Sequence, residues 1–110
     1  MAYDTELAGR IRAAVQGEAG LTEKRMFGGL AFLIGGNMAV SASSRGGLLV
    51  RVDPARTESL LADPHVRRFE MRGRAMDGWL GVAAEAVDED EELRFWVDQG
   101  LAVARRLPPR

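Results

Sequence analysis

Apolar residues recur along this chain with two different periods, and the change of period divides it into elements. Leu7, Ile11, Ala14 and Val15 follow Asp4 at helical spacing, with Glu6, Arg10 and Arg12 mostly off that stripe. Asp4 is a ready N-cap, so the pattern predicts an amphipathic helix that Gly17 and Gly20 close. From Leu30 the period drops to two. Leu30, Phe32 and Ile34 alternate with Ala31 and Leu33 up to a GGN turn signal at 35–37. Met38, Val40 and Ala42 then alternate with Ala39, Ser41 and Ser43, and after SSRGG at 43–47, Leu48, Val50 and Val52 alternate with Leu49 and Arg51. Three strands joined by short turns predict an antiparallel meander.

Asp53 and Pro54 then open a short helix that carries Leu60 and Leu61 and stops near Asp63–Pro64, since a residue before proline resists the α region. Two further strands are expected at 68–71 and 78–83. The closing helix has the clearest signature. Leu93, Trp96, Val97, Gly100, Leu101 and Ala104 form its stripe, between an acidic start (DEDEE, 88–92) and Arg105–Arg106. Both charge clusters complement the helix dipole. The predicted order is α-β-β-β-α-β-β-α. It implies one two-layer α+β domain over residues 1–110, with an antiparallel sheet of about five strands and helices on one face.

Strict alternation assigns Leu30, Phe32, Ile34, Met38, Val40, Leu48 and Val50 to the helix-covered face. Ala31, Leu33, Ala39 and Leu49 then fall on the other, where Trp79 joins them beside Ser41 and Arg51. A one-sided sheet normally shows polar residues to water. Apolar residues there mark Leu33, Leu49 and Trp79 as an interface, and a second copy in a homodimer is the simplest occupant.

Composition narrows the chemistry. The chain has no cysteine, which excludes disulfides, thiolate catalysis and cysteine-ligated metal sites. Fifteen basic and 16 acidic residues leave a net charge of −1, so no global field draws in nucleic acid, and DNA contact is expected to be weak or indirect. No apolar run approaches a membrane span, and charges interrupt the N-terminal stretch, so a cytoplasmic protein without membrane contact is expected. The single histidine, His65, lacks metal-ligand partners, so no metal and no cofactor is expected. The serines have no nucleophile context. Arg67, Arg68, Arg72 and Arg74 surround Phe69 and offer an anion contact, but on a strand they divide between two faces.

The segment KRMFGGLAFLIGGNMAV, residues 24–40, carries two Gly-Gly pairs. Each runs into a strand rather than a helix N-terminus, so they serve backbone geometry and not phosphate binding. Gly28–Gly29 interrupts what reads as one strand from Lys24 to Ile34, as a bulge or bend would.

Arg25, Met26, Phe27, Gly28 and Gly29, followed by LLVRVD and by the closing DEDEELRFWVDQGLAVARRLP, resemble the TfoX/Sxy N-terminal domain family. The resemblance implies a small α+β fold like that of type III secretion chaperones. It also implies a link to the regulation of natural transformation competence in bacteria. It carries over no catalytic or ligand residue. The leading expectation is a non-enzymatic binding module, acting on transcription through a protein partner. One alternative is a nucleic-acid-binding regulator using Arg67–Arg74. Another is an enzyme with a small-molecule site near Met26, Phe27 and Trp79.

Overall fold

Asp4 caps the first helix, α1 (Thr5–Val15), by accepting the backbone N–H groups of Glu6 and Leu7 at 3.0 and 3.1 Å. The computed structural model describes residues 3–26, 28–71 and 73–109. Six strands follow: β1 (Leu21–Met26), β2 (Gly29–Ile34), β3 (Asn37–Ala42), β4 (Leu48–Arg51), β5 (Val66–Met71) and β6 (Arg74–Val82). They form one antiparallel sheet in the order β1-β2-β3-β4-β6-β5. Between β4 and β5, Asp53 accepts the Ala55 N–H and Pro54–Arg56 makes a tight turn into α2 (Thr57–Leu60). The last element is α3 (Asp90–Arg106).

The α+β class and the helix positions agree with the periodicity, but the element order gains a strand. Residues 24–34 are not one bent strand. The chain reverses there, and β1 pairs back on β2 from Leu21↔Ile34 to Met26↔Gly29. Thr22, Glu23, Lys24 and Arg25 are exposed because β1 is an edge strand. A solvated edge has no apolar alternation to betray it, and its charges discourage further strand pairing.

The core lies between the sheet and the helices. Leu7, Ile11, Leu60, Leu93, Trp96, Val97 and Leu101 pack with Phe32, Val40, Leu48, Val50 and Leu80 in one buried cluster. Burying a side chain such as Phe32 or Ile11 completely stabilises the fold by about 1.5–3 kcal/mol. Helix α3 lies across β2, β3 and β4 and meets β3 most closely. At their contact, a Cβ on Gly100 would overlap the Ala39 carbonyl oxygen.

That same stretch of β3 breaks the alternation. Phe32 pairs with Val40 but Leu33 pairs with Met38, so Ala39 is an extra residue. The bulge keeps both Ala39 and Val40 in the helix-side core and turns Met38 to the opposite face. The expected faces of Met38 and Ala39 are therefore exchanged. Strict alternation holds only while the ladder is regular.

Ion pairs fasten α1 to its neighbours. Arg10 reaches Asp90 and the Asp88 carbonyl at the start of α3, each at 3.0 Å. Arg105, at the end of α3, makes a two-pronged contact with Glu18 at 2.9 and 2.6 Å. The two clamps set α1 and α3 side by side and running the same way. Arg12 grips Glu23 of β1 in the same two-pronged manner, at 2.7 and 2.9 Å. Hydrogen bonds from these arginines hold the Glu18 and Glu23 carboxyls below the usual glutamate value. The backbone N–H of Ala55, with Arg106 adding to it, does the same for Asp53.

Two outcomes follow from this packing. An exposed helical Gly→Ala change gains about 1 kcal/mol from propensity. Gly100→Ala should instead lose about 1–3 kcal/mol, because the new methyl must push backbone aside. Urea melts that show the variant equal to or more stable than its parent would contradict the close approach. Because the three carboxyls are depressed in the folded state, their contribution is complete above the ordinary carboxylate range. It drains away as pH falls through their folded values. Urea midpoints should thus hold steady from pH 7 to about 5 and decline below about 4.5. In Glu18→Gln/Glu23→Gln that acid-side decline should be shallower.

Candidate functional site

Strand register places a row of residues across the helix-free face. Lys24 pairs with Ala31, Ala31 with Ser41, Ser41 with Leu49, Leu49 with Gly81 and Gly81 with Arg67. Paired residues project to the same side. Beside this row lie Leu33 with Met38, and Arg51 with Trp79.

Ala31, Leu33, Met38 and Leu49 form a second buried apolar cluster, to which no helix contributes. Leu33 and Leu49 are only 8% and 6% exposed. Met26, Phe69 and Trp79 pack against the cluster and remain half-exposed. The expected trio of Leu33, Leu49 and Trp79 is thus brought together, but with different roles. The two leucines support the surface from beneath, whereas Trp79 belongs to the part that water still reaches. The Arg51 guanidinium lies 4.8 Å from the Trp79 ring centroid, a cation–π contact.

Gly81 leaves a gap in this face. The stem of Arg67 passes 3.7 Å from where its Cβ would be. A groove of about 860 Å³ opens there, lined by Leu49, Arg67, Phe69 and Gly81. Arg45, His65, Glu70 and Glu85 also border it.

The arginine cluster is divided. Arg67 projects to the helix-free face, while Arg68 turns to the helix side and binds Glu58 at 2.6 Å, with Asp77 at 3.8 Å. Arg74 is exposed at the end of the β5–β6 hairpin, opposite Met71. Arg72 lies outside the described residues. No continuous basic strip results from the described members. His65 is tied to its own turn, since Asp63 accepts its backbone N–H at 2.9 Å and lies 3.4 Å from its Nδ1. Among the described residues, no group of three or more histidines and carboxylates could hold a metal ion. No helix of the described residues is long and apolar enough to cross a membrane.

The motif residues divide as well. Arg25 pairs with Leu30 on the helix side, whereas Met26 packs into the second cluster. Phe27 lies outside the described residues. Gly28 has φ +77°, and a Cβ on Gly29 would overlap the Ala42 carbonyl oxygen. The first glycine permits the turn between β1 and β2, and the second lets β2 lie close against β3.

A family model, the TfoX N-terminal domain, matches residues 13–104. The chain belongs to the TfoX N-terminal domain family. Membership marks it as a competence-regulator-like module, and the match runs from the last turn of α1 through almost all of α3. Comparison with curated proteins finds no match, and neither does comparison with solved structures.

Lys24, Met38, Phe69 and Gly81 complete this surface and were not singled out as site residues by the sequence pattern. Only the spacing of Trp79 and Gly81, two apart on one strand, hinted that a gap would sit beside an aromatic. The motif glycines give a direct check. Gly29→Val and Gly28→Val should each cost more than the ~1 kcal/mol of a purely entropic change. Denaturant melts matching the parent would remove the geometric role assigned to them.

Proposed function

We propose that this TfoX N-terminal domain is a non-enzymatic cytoplasmic binding module that acts on transcription through a protein partner held on its helix-free face. The observation that carries the reading is the second apolar cluster. Met26, Phe69 and Trp79 lie half-exposed over four buried apolar residues, on a face with no helix in its cluster. Apolar and aromatic surface of this kind gains free energy when a partner removes it from water. Met26 ties the family motif to that surface. Arg45 and Arg67 give the groove planar hydrogen-bond donors suited to charge recognition.

The test is affinity capture from an extract of the native cell. A partner retained by the parent should be lost with Phe69→Ser/Trp79→Ala. It should persist with Phe95→Ser, which alters an exposed aromatic on α3. Retention by the first variant, or loss with the second alone, would move the binding site off this face.

A further inference from the structure

We infer that the helix-free face takes an acidic peptide segment of another protein, apolar in its middle and with carboxylates toward both ends. The inference rests on the protein-binding reading above and names the partner's chemistry.

Cations stand at both ends of this face's central row. Along that row and the Arg51–Trp79 pair beside it the charged residues are Lys24, Arg51 and Arg67, while the carboxylates Glu70 and Glu85 border the groove at the β5 end. The carboxylates that meet Arg10, Arg12, Arg68, Arg105 and Arg106 sit elsewhere. Glu23 and Glu58 meet Arg12 and Arg68 on the helix side, and Glu18, Asp53 and Asp90 meet the arginines of α1 and α3. Among the described residues, Lys24 and Arg67 have no ion-pair partner, and both are exposed. They occupy the two edge strands at opposite ends of one row. Five strand spacings of ~4.8 Å separate them, about 24 Å along the sheet. Between them lie Ala31, Ser41, Leu49 and Gly81, with the half-exposed Met26, Phe69 and Trp79 nearby. A segment spanning the face therefore meets cations at its ends and apolar surface in its middle. Glu70 and Glu85 border the groove on the β5 side and are exposed, so neutral positions of the segment belong near them.

Two other occupants fit less well. Among the described residues bordering this face, a second copy laid face to face could offer Lys24, Arg51 and Arg67 only the two carboxylates at the β5 end, Glu70 and Glu85. Single-stranded nucleic acid needs free aromatic faces and a cation for each phosphate. Here Arg51 already lies against the Trp79 ring, and leucine and methionine make up most of the cluster.

The experiment is selection of a displayed random 16-residue peptide library on the full chain, followed by fluorescence anisotropy with the selected peptides. Sequences rich in Asp, Glu and large apolar residues should be enriched. Their affinity should fall at least tenfold with Lys24→Glu/Arg67→Glu, two exposed changes that leave the core intact, and hold or tighten with Glu70→Gln/Glu85→Gln. The charge-reversed variant should itself select basic peptides. Enrichment of neutral or basic peptides by the parent, with binding lost in Phe69→Ser/Trp79→Ala, would overturn the acidic partner and leave the protein-binding face standing. Peptides insensitive to every change on this face, or no enrichment, would overturn both. Tighter binding of a 16-nucleotide oligothymidylate than of any selected peptide would assign the face to nucleic acid instead. A parent dimer, seen by light scattering, that Trp79→Ala dissociates would assign it to a second copy.

Discussion

Everything else in this domain is arranged around the approach of α3 to β3. Gly100 faces the Ala39 carbonyl with no room for a side chain between them. The contact falls where β3 carries one residue too many, at the irregularity that puts both Ala39 and Val40 on the helix side. A helix set so low brings Trp96, Val97, Leu101 and Ala104 into the same cluster as Phe32, Val40 and Val50. The extra residue has a second effect at no added cost in chain length. It sends Met38 through to the far side, where a large unbranched side chain fills space beside Leu33 and Leu49. One irregularity therefore seats the helix and completes the opposite surface.

The two faces of the sheet are built on different terms. Helices supply nearly half of the helix-side cluster, and ion pairs hold their ends. The far side is assembled from strand residues alone, so its larger members must cover its smaller ones. Phe69 and Met26 come from the two edge strands and Trp79 from the strand beside β5. Among the described residues this face's Lys24 and Arg67 make no ion pair, while Arg12 and Arg68 on the helix side bind Glu23 and Glu58.

Much of this was legible in the sequence, and the failures have specific causes. The stripe of α3, the Asp4 cap, the turns at 35–37 and 43–47 and the helix-free position of Leu33, Leu49 and Trp79 all follow from period and turn chemistry. So does the need for glycine at 28 and 29, because two adjacent glycines in a strand-like run imply a backbone that a side chain would strain. Strand β1 escaped notice because its exposed residues, Thr22 to Arg25, have no buried face to imprint a period. Met38 was misplaced because a bulge is a property of pairing between two strands and leaves no mark in one. The arginine cluster misled through proximity. Arg67 and Arg68 are neighbours in sequence and face opposite sides of the sheet, so only register shows that one is neutralised by Glu58 and the other is not.

Completion of the core by α3 also orders events in time as the chain is made. The strands from Leu21 to Arg51 leave the ribosome with apolar residues on both faces, and the helix that covers β2, β3 and β4 lies about 50 residues further on. At ~5–20 residues per second that gap lasts several seconds. During it, α1 is the only long helix already made to cover the sheet, and the apolar surface that α3 will bury is open to chaperones or to other nascent chains. The polar edge of β1 then discourages pairing on that side, whereas β4 has no neighbour on its other side until β6 is made.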